Sequence, residues 1–81
     1  MKTYAVCFKD KAWLGSMLQC LSKAKNLAAH ENDVVKVLRV RANEPAVIIF
    51  DIDKSGIYPV ESGRKLSYAA LKKALKRGKE K

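Results

Sequence analysis

Two β-branched runs joined by a short proline-containing loop constrain this chain more than any other feature. Val34 to Ala42 and Ala46 to Asp53 flank Asn43-Glu44-Pro45. Val, Ile and Phe suit a pleated, half-buried backbone, and a short loop between two such runs predicts an antiparallel hairpin. If Ala42 pairs with Ala46, one face carries Lys36, Leu38, Val40, Ile48, Phe50 and Ile52, with Lys36 at its edge. That is the expected core face. The other carries Val35, Val37, Arg39, Arg41, Val47, Ile49, Asp51 and Asp53, a half-charged surface turned to solvent or a partner.

The rest of the chain is read around this hairpin. Thr3 to Phe8 alternates and predicts a strand. Asp10 offers a helix N-cap, and Trp13, Leu14, Met17, Leu18, Leu21, Ala24 and Ala28 recur at spacings of three and four. That spacing predicts an amphipathic helix from about Lys11 to Ala29, weakened by Gly15 and closed by the polar run His30 to Asp33. Lys54-Ser55-Gly56 predicts a turn, and Ile57 to Val60 a short strand placed at an edge by Pro59, which cannot donate to a ladder. After a loop from Glu61 to Lys65, Ser67 caps a final helix running to about Arg77, with Gly78 as its stop. Its buried stripe is Tyr68, Leu71, Ala74 and Leu75. The expected order is β-α-β-β-β-α. The expected architecture is an α+β domain, an antiparallel sheet with helices packed on one face, spanning residues 1–78 and followed by a charged tail at 79–81.

Composition sets the class. With 81 residues the chain is one domain, and 48% hydrophobic against 31% charged residues is globular and not disordered. The N-terminal apolar run is broken by Lys9, Asp10 and Lys11 before a signal sequence forms, and nothing reaches the length of a membrane span, so the expectation is a soluble, cytoplasmic protein with no membrane partner. Cys7 and Cys20 form no CxxC and His30 is the lone histidine. Structural zinc needs four such ligands, so neither a metal nor any cofactor is expected. The two thiols read as small buried hydrophobes in preference to a disulfide. Asp51-Ile52-Asp53 points two carboxylates the same way along a strand, but a divalent cation requires more oxygen ligands than cluster there. No nucleophile stands beside His30, which suits a helix C-terminus, and no phosphate-binding or nucleophile-elbow motif occurs.

Charge supplies the functional signal. Arg64 to Lys81 holds eight basic residues and one acid, a net of +7, whereas residues 1–63 hold nine basic and seven acidic residues, a net of +2. Lys72, Lys73, Lys76 and Arg77 occupy the outer face of the final helix, with Lys79 beyond them and Arg64 and Lys65 in the loop before it. Ammonium groups spaced along a helix match a phosphate backbone, where counterion release drives association. Arg41, near the hairpin loop, extends this basic set. Arg39 is expected to form a cross-strand ion pair with the aspartates of the partner strand. Trp13, Tyr4, Tyr58 and Tyr68 are the aromatic rings able to stack on bases. Trp13 and Tyr68 fall on core stripes, which leaves Tyr58 as the exposed ring.

The order α-β-β-β-α over residues 11–78 resembles the double-stranded-RNA-binding fold. Within it, Tyr58-Pro59-Val60 through Gly78, with the helix Leu66-Ser67-Tyr68-Ala69-Ala70-Leu71-Lys72-Lys73-Ala74-Leu75, is similar to the end of the HicA-type mRNA interferase toxins. That resemblance, over about a quarter of the chain, implies a compact fold and affinity for RNA or DNA. Those toxins carry a catalytic histidine where their first two strands meet. Here that stretch reads Arg41-Ala42-Asn43-Glu44-Pro45, so nuclease activity is not implied.

The sequence therefore points to a small, basic, non-catalytic nucleic-acid-binding module that uses Arg64, Lys65, Lys72, Lys73, Lys76, Arg77, Lys79 and Arg41. The alternative is a protein-binding inhibitor or adaptor, such as one of phage or mobile-element origin, docking on an acidic or nucleic-acid-binding host protein. Short edge strands leave room for a dimer by sheet pairing.

Overall fold

The computed structural model describes residues 3–61 and 63–79, the last without its side chain. The elements are β1 (Tyr4–Phe8), β2 (Lys11–Gly15), α1 (Met17–Glu31), β3 (Val35–Arg39), β4 (Ala46–Asp53), β5 (Gly56–Pro59), β6 (Lys65–Leu66) and α2 (Tyr68–Lys79). The sheet is antiparallel throughout, ordered β2-β1-β3-β4-β5, with β6 also paired to β4. The expected α+β class with an antiparallel sheet holds.

The expected helix from Lys11 is corrected. Its first turn is a strand, because Lys9 takes a left-handed conformation (φ 55°) and closes a two-residue turn that pairs Phe8 with Lys11. Ala12, Trp13 and Leu14 fit alternation as well as they fit helical spacing. The helix begins at Ser16 instead of Asp10. Ser16 Oγ accepts from the Gln19 N–H at 3.2 Å, while Gln19 Oε1 accepts from the Ser16 N–H at 3.0 Å, a reciprocal capping box. Asn32 ends α1 in the left-handed conformation (φ 53°).

The hairpin register also differs from the one drawn from Ala42 and Ala46. Val35 pairs with Ile52 and Val37 with Phe50, then a bulge at Ile49 shifts the ladder so that Leu38 pairs with Ile48. An extra residue reverses the alternation along β4. Val37 and Phe50 therefore share one face of the sheet, and Leu38 and Ile48 share the other. Both faces are covered. On one, Cys20, Ala24 and Ala28 of α1 pack on Val6, Phe8, Val35, Val37 and Ile52. On the other, Leu71 and Ala74 of α2 pack on Ala5, Ala12, Leu38, Ala46 and Ile48. The expectation that both helices share one face is thus corrected: they lie on opposite faces. The near-continuous apolar runs of β3 and β4 serve two cores, not one core and one wet side.

The second edge of β4 is made by β5 and β6 together. Val60 N–H donates to the Ile49 carbonyl and Ile48 N–H to the Arg64 carbonyl, both at 2.9 Å, so the segment follows β4 on either side of an interruption. Pro59 sits in the outer strand β5, as its missing N–H requires. Ser67 caps α2 as expected, its Oγ accepting from the Ala70 N–H at 3.2 Å. Gly78 is inside α2 and does not stop it. A Cβ at this position would collide with the Ala12 carbonyl oxygen and approach Trp13 Nε1 to 3.1 Å. Glycine is there because the helix end lies against the β2 backbone. Cys7 and Cys20 are free thiols on opposite faces of the sheet.

Candidate functional site

Burial of Leu71 and Ala74 orients α2. Leu71 is fully buried, and Lys72, Lys73, Lys76 and Arg77 are all exposed on the outward side. At 100° per residue these four cover an arc of about 140°. The arc is therefore one basic surface, as the residue spacing predicts. Lys72 folds back so that its ammonium lies 5.6 Å from the Tyr68 ring centroid. Among the described residues, Lys65, Lys72, Lys73 and Lys76 make no ion pair.

The two arginines of the set are engaged. Arg77 Nη1 donates to Asp10 Oδ2 at 3.1 Å. That contact brings the β1–β2 turn beside the end of α2, while Lys11, paired with Phe8, and Lys9, whose ammonium lies 5.3 Å from the Phe8 ring centroid, sit on the α1 side of the sheet. Sequence reasoning missed this contact, because 67 positions separate Asp10 from Arg77 and no local signal joins them. Arg64 Nη2 donates to Asp51 Oδ2 at 3.1 Å. The other Asp51 oxygen is buried without a hydrogen-bond partner among the described residues, so Arg64 is the group that offsets a carboxylate on the sheet.

The register separates the remaining residues. Lys65 pairs with Val47, which pairs with Arg39, and this row lies on the α1 side of the sheet. Lys65 is thus not beside the α2 lysines, though it is two residues from Ser67. The expected pairing of Arg39 with the aspartates of β4 is corrected for the same reason. The bulge puts Arg39 on the α1 face and Asp51 on the α2 face, where its partner is Arg64. Arg41 is exposed in the β3–β4 loop, at the sheet end where Ala46 pairs with Leu66 and α2 starts. The Lys79 side chain and the 80–81 part of the expected tail lie outside the described residues.

Aromatic placement also departs from expectation. Trp13 lies on edge strand β2, not on a helix. Its indole N–H donates to the Gly78 carbonyl at 3.0 Å, and the Lys23 ammonium sits 4.5 Å from its ring centroid. Trp13 therefore ties α1 and α2 together around the sheet edge. Tyr58 is exposed, on β5 opposite Asp51. Burial holds the thiol of Cys7 above its ordinary value, partly countered by the Lys36 ammonium, and burial raises that of Cys20. Neither is an activated nucleophile.

Among the described residues no group of three or more metal-ligating side chains forms, and no helix is long and apolar enough to cross a membrane. No family model matches the chain, and no curated protein or solved structure matches it.

Proposed function

We propose that this chain is a small, non-catalytic nucleic-acid-binding module that contacts the phosphate backbone through the outer face of α2. The observation that carries the reading is the exposed arc of Lys72, Lys73, Lys76 and Arg77, three of whose four cations have no carboxylate partner among the described residues. Folding alone does not account for the arc. Lys72 with Lys76, and Lys73 with Arg77, are like charges four apart on one helix, an arrangement that lowers helix stability. Only Lys76 and Arg77 lie near the C-terminal end, where the macrodipole offsets part of this repulsion. Arg41 flanks the start of the surface. Phosphate contacts fix position without reading sequence, so specificity for base sequence is weak.

Fluorescence anisotropy with labelled duplex DNA, duplex RNA and single strands tests this. Four phosphate contacts to a single strand predict an affinity loss on the order of fifty-fold between 50 and 200 mM salt. Equal affinity at the two salt concentrations would refute it.

The protein-docking reading has one observation in its favour. Leu18 on the outer side of α1 is 79% exposed, on the helix face opposite its buried residues. Co-purification of a defined protein that survives nuclease treatment would favour an inhibitor or adaptor of a host complex.

A further inference from the structure

Tyr58 stands on the same side of the sheet as α2, and its hydroxyl is anchored to the β4–β5 turn. Its position opposite Asp51, itself opposite Lys36 and then Cys7, assigns it to the α2 face. The phenol hydroxyl lies 2.7 Å from Ser55 Oγ, which donates to Asp53 Oδ1 at 2.6 Å. The same Asp53 oxygen accepts from the N–H groups of Ser55 at 2.8 Å and Gly56 at 3.1 Å. The ring also lies over Gly56, where an added Cβ would touch its hydroxyl, Cζ and Cε2 at 3.7 to 4.0 Å. The hydroxyl end of the ring thus lies near Gly56, and 49% of the residue remains open to solvent. An exposed tyrosine that served only as filler would not need the hydroxyl anchor.

Its surroundings hold both signs, with Asp53 engaged by the β4–β5 turn and Asp51 by Arg64. Across the strand, Asp51 holds the Arg64 guanidinium, three residues before the cap of α2. Half-buried Lys36 shares the row, and exposed Lys54 sits in the adjoining turn. An exposed ring with its hydroxyl anchored, Arg64, Lys36 and Lys54 near it and both nearby carboxylates engaged, on the face that α2 covers, fits a nucleotide base attached to its phosphate.

Resting on the nucleic-acid reading above, we infer that the ligand is a single-stranded nucleic acid, and that Tyr58 is a stacking platform for an unpaired base whose flanking phosphates lie along Arg64 and α2. A duplex offers phosphates but keeps its bases stacked on one another. The ring therefore discriminates between the two forms.

The test compares an oligothymidine of twelve nucleotides with an abasic strand of the same length and charge. The full chain, Tyr58→Ala, Tyr58→Trp and the Lys72→Gln/Lys73→Gln/Lys76→Gln variant are titrated at one salt concentration. Circular dichroism melting verifies that each is folded. The full chain binds the base-bearing strand about five- to tenfold tighter than the abasic strand. Tyr58→Ala abolishes that difference and leaves abasic binding unchanged, and Tyr58→Trp restores it. The lysine variant weakens both strands alike. A difference that persists in Tyr58→Ala, or equal affinity of the full chain for the two strands, overturns the platform and leaves the phosphate reading standing. Failure of the full chain to bind either strand overturns the phosphate reading and the platform with it.

Discussion

The two helices meet the same sheet in different ways. α1 has 15 residues, a reciprocal capping box at one end and a left-handed asparagine at the other, and small residues Cys20, Ala24 and Ala28 against large strand side chains. α2 has 12 residues and a single serine cap, and it brings Leu71 and Ala74 to a floor that includes Ala5, Ala12 and Ala46. α1 spreads Lys23, Lys25, His30 and Glu31 over its surface, while α2 gathers Lys72, Lys73, Lys76 and Arg77 on one side. α1 is thus built for its own stability. α2 is held mainly by tertiary contacts, and its outer face is arranged without regard to helix stability. Residues whose charge works against their own element are those whose reason lies outside it.

The largest effect that sharpens this contrast comes from the floor of α2. Leu71 is fully buried, and Leu71→Ala removes its side chain from the second core. Urea denaturation should show a loss of about 3 kcal/mol, enough to unfold much of the population of so small a domain. A loss under about 1 kcal/mol would mean that α2 is not anchored as described.

Gly78→Ala comes next and reverses the usual helix rule. Alanine normally favours a helix interior over glycine by about 1 kcal/mol. Here its Cβ meets the Ala12 carbonyl oxygen, and a loss of about 1 to 3 kcal/mol is expected, read as a lowered melting temperature. A gain in melting temperature would show that the helix end does not touch β2.

A pair of smaller substitutions separates the true start of α1 from the one that periodicity suggests. Ser16→Ala should cost about 1 kcal/mol, because the Gln19 N–H loses its acceptor. Asp10→Ala should cost less than about 0.5 kcal/mol, since it removes only an exposed ion pair with Arg77. The opposite order in thermal melts would restore the longer helix.

The smallest effect is a titration. Asp53 accepts from the Ser55 hydroxyl and N–H and from the Gly56 N–H, and these bonds hold its carboxyl below the usual 3.8. A folded value below the unfolded one stabilises fully above 3.8 and is lost as pH falls through the folded value. The β4–β5 turn should therefore loosen only in acid, with Asp53→Asn flattening the pH dependence. A carboxyl resonance titrating above 3.8 by NMR would contradict this.

Much of the fold was readable. Strand alternation in Tyr4, Val6 and Phe8, the apolar stripe of α2 and its Ser67 cap all emerge where residue spacing puts them. Two features were not. Ala12-Trp13-Leu14 satisfies both periods, and only the Ser16–Gln19 capping pair, a start signal within the supposed helix, could have decided between them. The bulge at Ile49 has no side-chain signature, and it alone decides which residues of β4 face which helix. The basic arc of α2 was legible because it is local to one helix. The Asp10–Arg77 contact at its end, and the opposite facing of Lys65 and Arg64, follow from tertiary register that no window of sequence contains.

The most direct test of the central claim is the slope of log affinity against log salt for a single-stranded oligonucleotide, measured for the full chain and for Lys72→Gln/Lys73→Gln/Lys76→Gln. Loss of three phosphate contacts predicts a slope shallower by about two, with unchanged or slightly raised thermal stability. An unchanged slope in a folded variant would show that α2 does not carry the contact.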